Sequence, residues 1–180
     1  MSKFAASLAL ATALLSASAF AEAAKPTVVL VHGAFADSSS WNDVTRILQK
    51  DGYNVVAAAN PLRSVSTDAA YVSSVVNNIK GPAVLVGHSY GGQVITNAAR
   101  EKKNVKSLVY VAAFAPDAGE AAAELAGKFP GSTLGEALSA PVKLADGNVD
   151  LYIEQSKFHQ QFAHDVSAEK AALMAGGQRP

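Results

Sequence analysis

The sequence of 180 residues contains no cysteine. The absence of thiols excludes disulfide bonds, thiolate metal sites and a cysteine nucleophile. Basic and acidic residues number 15 each, so the formal net charge is zero, which gives no reason to expect nucleic acid or an acidic membrane as a partner. The sequence also lacks a G-x-G-x-x-G or Walker pattern, so no nucleotide cofactor is predicted. Its scattered histidines and aspartates do not have the spacing of a metal site.

The first 21 residues are predicted to be a secretory signal peptide rather than a part of the fold. Lys3 gives a positive start, an apolar stretch follows from Phe4 to Leu15, and Ala19-Phe20-Ala21 is an A-x-A cleavage pattern. The apolar stretch is too short to span a bilayer, which argues against an uncleaved anchor helix. We therefore expect a mature chain that begins near Glu22 and works in a bacterial periplasm or outside the cell.

Runs rich in apolar residues alternate with stretches of helical spacing through the first two thirds of the chain, and the first run, Thr27 to Val31, is an uninterrupted series of β-branched residues and leucine. The runs predict strands, and they cover 27–31, 53–58, 83–86 and 105–111. The helical stretches cover 41–50, 66–79 and 93–102, with N-caps predicted at Ser38–Ser40 and at Ser66-Thr67-Asp68. Alternating strands and helices with short loops predict an α/β fold with a parallel sheet, whose ligands bind beyond the carboxyl ends of the strands.

The pattern changes after Asp117. Short helices are predicted over 120–128, 156–163 and 167–174, a loop over 130–150 and a short strand over 151–153. We expect residues 22–117 to form the core and residues 118–180 to form a cap-like helical excursion over the pocket.

The stretch from Val84 to Gly92 predicts a nucleophile elbow. An apolar strand runs into Gly87-His88-Ser89-Tyr90-Gly91 and then into a helical stretch. The turn forces the serine into strained backbone angles, so its flanking residues must be small. The backbone amide of Tyr90 would lie in the first helical turn, where it is free to bind an oxyanion.

The sequence resembles the α/β-hydrolase superfamily, and within it the small esterases related to plant methylesterases, hydroxynitrile lyases and their bacterial relatives. The resemblance rests on His32-Gly33-Ala34, on the elbow, and on the segment from Val111 to Asp117. It implies a sheet flanked by helices with a helical cap, and Ser89 as the nucleophile that attacks an ester carbonyl. It further implies that the amides of Ala34 and Tyr90 hold the oxyanion, with no metal or cofactor.

The chain departs from the family pattern in its last third. The resemblance implies an acid and a histidine after two further strands, and those two strands are missing here. Within the chain, three aspartates remain as candidate acids and two histidines as candidate bases: Asp117, Asp146, Asp150, His159 and His164. Without a base the Ser89 hydroxyl is a poor nucleophile, so we expect a truncated chain of weak activity or none.

Several residues near these motifs have alternative interpretations. His32 precedes Ser89 and is expected to shape its loop and border the substrate pocket, and His88 is expected to pack under the turn. Phe35 is predicted to line the pocket. Trp41 could line it too, although an aromatic core residue is the alternative. His159, between Phe158 and Phe162, is predicted to be a cap histidine rather than a surrogate base.

Two functional hypotheses follow. The first is a serine hydrolase of small carboxylic esters, and the second is a non-catalytic binding protein that keeps the pocket. A physical expectation accompanies both: without further strands, the edge of the strand at 105–111 stays open, so the chain could oligomerise or aggregate through it. The substrate, and the choice among esterase, lactonase, thioesterase and lyase, are not predicted by these motifs.

Overall fold

A computed structural model describes residues 24–180, so the predicted signal peptide lies outside the described residues. The central sheet has four strands: β1 (Thr27–Val31), β2 (Val55–Ala58), β3 (Ala83–His88) and β4 (Val105–Val111). They are parallel and lie in the order β2-β1-β3-β4. The predicted α/β class with a parallel sheet is confirmed.

Helices cover both faces of this sheet, which explains why the central strands β1 and β3 are mostly apolar. The helices are α1 (Asn42–Lys50), α2 (Val65–Asn77) and α3 (Gly91–Ala98), and a 3-10 turn (Ser38–Trp41) precedes α1. One face is buried beneath α2 and α3 in a cluster that includes Val29, Val31, Leu85, Val72, Val76, Val94 and Ile95. The opposite face is buried around Val28, Leu30 and Trp41.

The two predicted N-caps are wrong by a few residues. Asp37, not one of the following serines, accepts the amide of Ser39 at 2.8 Å and caps the 3-10 turn. Ser64 caps α2 by accepting the amide of Thr67 at 3.1 Å. Asp68 therefore lies inside the helix, where its side chain is free to serve another purpose.

The remaining residues form short elements with a small core of their own. They are α4 (Ala122–Gly127), β5 (Val142–Lys143), β6 (Val149–Asp150), α5 (Gln155–Phe162) and α6 (Ala168–Gly177). The antiparallel pair β5–β6 falls where a loop was predicted. The predicted strand at 151–153 is wrong, because Ile153 makes only an isolated bridge with Leu138.

Several contacts join this last third to the core region, and three of them lie near the candidate site. The ring of Phe35 meets that of Phe162 edge-on at 6.3 Å between centroids. The guanidinium of Arg63 pairs with the carboxylate of Asp150 at 2.9 Å. The amide of Phe35 donates to the carbonyl of Arg179 at 2.8 Å. All three involve the loops at the carboxyl ends of the strands, so residues 118–180 lie at the end of the sheet where the resemblance places the site.

Strand β4 lies at the edge of the sheet within the described part of the chain. Its residues Val109, Tyr110 and Val111 are 41%, 39% and 41% exposed. The expected open edge is therefore present among residues 24–180. Pairing of this edge with another chain stays a prediction.

Candidate active site

Ser89 lies at a sharp corner between β3 and α3. Its φ is +52°, in the left-handed region that residues with a side chain rarely adopt. The corner is closed by two hydrogen bonds to the carbonyl of Ser89, from the amides of Gly92 and Phe114, each at 3.0 Å. The residue is half-buried, and its hydroxyl makes no hydrogen bond within residues 24–180.

The glycines around this corner are required by close approach. A Cβ on Gly87 would lie 2.5 Å from the carbonyl oxygen of Gly91, and a Cβ on Gly91 would lie 2.4 Å from that of Val31. No side chain fits such a separation. The elbow therefore depends on strand, turn and helix backbones that touch directly.

The loop after β1 lies against Ser89. A Cβ on Gly33 would lie 2.7 Å from the Cβ and 3.3 Å from the hydroxyl oxygen of Ser89. This approach brings the next residue, Ala34, beside the elbow. Phe35 follows with a φ of +62°, and its amide is already bonded to Arg179.

A cavity of about 560 Å³ opens between these loops. It is lined by Ala34 and Tyr90, whose backbone amides donate no hydrogen bond to any group among the described residues. The rest of its wall comes from the loop before α2, from α3, from the segment before α4 and from the end of the chain: Leu62, Arg63, Ser64, Val65, Gln93, Glu120, Ala121, Ala122 and Pro180. Two residues from separate loops, each with an unengaged amide, thus line one cavity, and unengaged amides are groups able to hold an anionic oxygen.

Asp68 is a residue of this region that the sequence analysis misassigned. Its side chain is fully buried, and one carboxylate oxygen accepts the hydroxyl of Tyr90 at 3.0 Å. Burial, together with this carboxylate, raises the pKa of the Tyr90 phenol well above its ordinary value, so the phenol remains a neutral donor. The signal was present in the sequence, because Asp68 precedes the buried Val72 and Val76 by four and eight residues, on the same helical face.

His32 lies behind the loop rather than in the cavity with the free amides. It is 1% exposed, and its Nδ1 lies 2.9 Å from the carbonyl of Gly33, so Nδ1 carries the proton. Burial lowers the pKa of His32 below its ordinary value, and the same cause lowers that of the half-buried His88. Both imidazoles are therefore neutral at pH 7.

A second cavity, of about 380 Å³, is lined by His32, His88 and Trp41 together with residues of β4, α5 and α6. Trp41 is 8% exposed and belongs to the core cluster on that face of the sheet. The aromatic-core interpretation of Trp41 therefore holds, although one side of its ring borders this cavity. Phe35 packs against the cap through Phe162, and neither this ring nor His32 lines the larger cavity.

The five candidate acids and bases do not assemble around Ser89. Asp146 accepts the amide of Asn148 in the turn of the β5–β6 hairpin, and Asp150 pairs with Arg63. In α5, Nε2 of His159 is occupied by the carbonyl of Val166 at 2.9 Å. Asp117 and His164 are exposed. None of these side chains hydrogen-bonds the hydroxyl of Ser89 in the described structure.

A family model described as "Alpha/beta hydrolase family" matches residues 28–179. The chain belongs to the alpha/beta hydrolase family. Among curated proteins, a carbendazim-hydrolyzing esterase of Nocardioides sp. (strain SG-4G) is 32% identical over 105 residues, which is 51% of this chain and 43% of that protein. The chain thus aligns with less than half the length of this curated family relative.

Solved structures of similar fold extend this picture. Tomato methylketone synthase I, complexed with 2-tridecanone, superposes with a TM-score of 0.71 at 20% identity, covering 87% of this chain and 67% of that one. An extracellular alpha/beta-hydrolase from a Paenibacillus species gives 0.67 at 23% identity, with coverages of 87% and 66%. Polyneuridine aldehyde esterase gives 0.71 at 17% identity, with coverages of 87% and 69%. At these identities the likeness concerns the fold alone.

No helix of residues 24–180 is both long and apolar enough to cross a membrane. In the same residues, no group of three or more histidine, aspartate or glutamate side chains is placed to hold a metal ion.

Proposed function

We propose that this protein is a serine hydrolase of small carboxylic esters, with Ser89 as the nucleophile. The observation that carries the proposal is that Ala34 and Tyr90, whose amides are unengaged, line one cavity, and that Tyr90 follows Ser89 directly in the elbow. Amides held in this way stabilise the negative charge that develops on a carbonyl oxygen, which is the largest single contribution in many acyl transfers.

In the proposed reaction, the hydroxyl oxygen of Ser89 attacks the ester carbonyl and its proton passes to a water molecule, because no imidazole of the described residues hydrogen-bonds this hydroxyl. The tetrahedral oxyanion lies against the amides of Ala34 and Tyr90. The alcohol then departs with a proton, and water releases the acid from the acyl-enzyme. The apolar wall formed by Leu62, Val65 and the two alanines at the start of α4 suits a small acyl or alcohol group.

The activity that we propose for the 180-residue chain is weak. The hydroxyl of Ser89 has no imidazole within hydrogen-bonding distance in the described residues, and loss of the base typically costs on the order of a millionfold in turnover. What remains is stabilisation by the two amides and by binding, which supports residual reactivity rather than fast turnover.

The similar proteins support an ester or a related carbonyl compound as the substrate class. The curated relative is named for hydrolysis of carbendazim, and one similar fold is that of an aldehyde esterase. We also propose export from the cell, on the basis of Lys3, the apolar stretch and the A-x-A pattern at Ala19–Ala21.

The proposal is tested with a fluorophosphonate reagent and p-nitrophenyl acetate, using the wild-type chain and Ser89→Ala. We expect the wild type to be labelled on Ser89 and to hydrolyse the ester slowly, and the variant to do neither. Equal labelling and equal hydrolysis by the two proteins would remove the catalytic proposal.

One observation favours a second candidate, a non-catalytic binding protein. The cavity of about 560 Å³ is large enough for a small ligand, while the hydroxyl of Ser89 is without a bound base. For this candidate, Ser89→Ala would bind small esters and the corresponding acids as tightly as the wild type does, and neither protein would turn them over. Calorimetric titration of both proteins separates the two candidates.

A further inference from the structure

Asp68 is a fully buried carboxylate whose two oxygens serve two different loops. One oxygen accepts the hydroxyl of Tyr90 at 3.0 Å, and the other accepts the backbone amide of Arg63 at 3.1 Å. The hydroxyl of Thr67 adds a third, longer contact of 3.3 Å. A buried carboxylate is tolerated only when its oxygens are satisfied in this way, and each of these bonds is strengthened by the charge.

The two loops that Asp68 joins form adjacent walls of the larger cavity. Tyr90 contributes its free amide and begins α3, while Arg63 follows Leu62, whose φ is +56°. A left-handed turn at a leucine is strained and persists only where the surroundings hold it. The bond from the amide of Arg63 to Asp68 supplies such a restraint on one wall, and the bond from Tyr90 supplies one on the other.

We propose that Asp68 is a positioning residue of the hydrolytic site. It fixes the ring of Tyr90, and through the ring the direction of the Tyr90 amide, relative to the turn at Leu62–Ser64. The inference rests on the proposed function, in which that amide holds the oxyanion. Because a displacement of about 1 Å in a catalytic group can cost roughly a hundredfold in rate, a restraint on Tyr90, the residue next to the nucleophile, affects the rate of the chemical step.

Packing alone would restrain the tyrosine ring less well. The ring is half-buried and touches the apolar cluster beneath α2 and α3, which fixes its depth but not its rotation. A hydrogen bond between a hydroxyl and a carboxylate is directional and charge-assisted, so it fixes the end of the ring as well. The negative charge of Asp68 repels a nearby oxyanion. The proposal therefore requires that better positioning of the Tyr90 amide stabilises the oxyanion by more than this repulsion destabilises it.

The test compares five forms of the full chain: wild type, Asp68→Asn, Tyr90→Phe, the double variant and Tyr71→Phe. Tyr71 lies on the same helix, is 38% exposed and has no hydrogen-bond partner for its hydroxyl in residues 24–180, so it is the matched control. The measurements are the rate of labelling of Ser89 by the fluorophosphonate, and kcat and KM for p-nitrophenyl acetate.

We expect each single variant to label Ser89 about tenfold more slowly, with kcat reduced and KM within about twofold of the wild type. The double variant should lose less than the sum of the two single losses, because both substitutions weaken the bond between Tyr90 and residue 68. Tyr71→Phe should label as the wild type does. Unchanged or faster labelling of Asp68→Asn, or additive losses in the double variant, would overturn the inference.

A second measurement separates this inference from the proposed function. In ¹H–¹⁵N spectra, the amide signals of Tyr90 and Arg63 should shift, and the Arg63 amide, which donates to Asp68, should exchange faster with solvent, in Asp68→Asn but not in Tyr71→Phe. If wild-type Ser89 does not react at all, the proposed function is wrong. Independently, unchanged amide signals in Asp68→Asn would show that the positioning role is wrong. If Asp68→Asn does not fold, Tyr90→Phe, which keeps the ring, decides the question.

Discussion

Residues 24–117 bury their apolar side chains on both faces of a parallel sheet, whereas residues 118–180 bury six in one separate cluster. Four of those six are alanines, and the large members are Ile153 and Phe158. The same region leaves Phe129 and Leu173 each 74% exposed. In the sheet region, the buried apolar area is distributed over many large side chains. In the cap region, it depends on two large side chains, those of Ile153 and Phe158. The two regions should therefore respond differently to substitution.

Phe158→Ala should produce the largest loss of stability. The side chain is fully buried in the cap cluster and stacks on Phe162 at 5.0 Å between ring centroids. Truncation of a buried phenylalanine costs roughly 3–5 kcal/mol. We expect the free energy of unfolding of the cap to fall by that amount in urea, and the loss of amide protection from hydrogen exchange to be confined to residues 118–180.

The matched control is Phe129→Ala, at an exposed ring of the same region. It should change the free energy of unfolding by less than about 0.5 kcal/mol. If Phe158→Ala instead removes protection evenly through the sheet strands, the two regions unfold as one unit and the contrast drawn above is wrong.

Gly91→Ala should have the next largest effect, this time in the core region. The added Cβ would lie 2.4 Å from the carbonyl oxygen of Val31, so the backbones of β1 and α3 must separate. We expect a loss of about 2 kcal/mol in the free energy of unfolding, measured by urea denaturation. Ser89 should also react more slowly with the fluorophosphonate, because the corner that holds it is displaced.

Gly127→Ala, at the end of α4 in the cap, tests the same chemical change in open space. Nothing lies within 4 Å of the added Cβ there, so stability should stay constant or rise by a few tenths of a kcal/mol. Equal losses at positions 91 and 127 would show that the close approach at the elbow does not govern the outcome.

The smallest predicted effect is a dependence of stability on pH that arises in the core. Burial lowers the pKa of His32 in the folded state below its ordinary value of 6.5. The unfolded chain therefore binds a proton more readily, and the free energy of unfolding falls as the pH drops below 6.5 towards the folded pKa. His88 adds to the effect in the same direction.

We expect the free energy of unfolding to fall by on the order of 1 kcal/mol between pH 7 and pH 5. Urea denaturation at each pH measures this change. His32→Gln should flatten this dependence. His164→Gln, at an exposed residue of the cap region, should leave the slope as it is. An identical slope in His32→Gln and the wild type would assign the effect to other groups.

The sequence predicted the core region better than the cap, for a physical reason. In Thr27–Val31, the four residues after Thr27 are buried and apolar, so the run is visible without any tertiary information. The strands of the cap hairpin have two residues each and exposed side chains, including Val142 and Val149 at 48% and 53%. No periodicity can reveal an element of that length.

The site was predicted in part. The elbow at Ser89 was found because its glycines are needed for backbone contact, and that need restricts the sequence strongly. The role of Asp68 was missed because a Ser-Thr-Asp run also resembles an N-cap, and only the helix start at Ser64 decides between the two interpretations. The sequence does not predict the strained turn at Leu62, because leucine is not a residue type that favours a positive φ.

The left-handed backbone conformation at position 89 places thermal stability and reactivity in conflict. A side chain in this conformation carries a cost of order 1 kcal/mol or more that a glycine would not have. A library varied at this position and screened only for survival of heating should accordingly enrich Ser89→Gly. Such a screen would therefore select against the hydroxyl at position 89. A screen for ester cleavage would select for it.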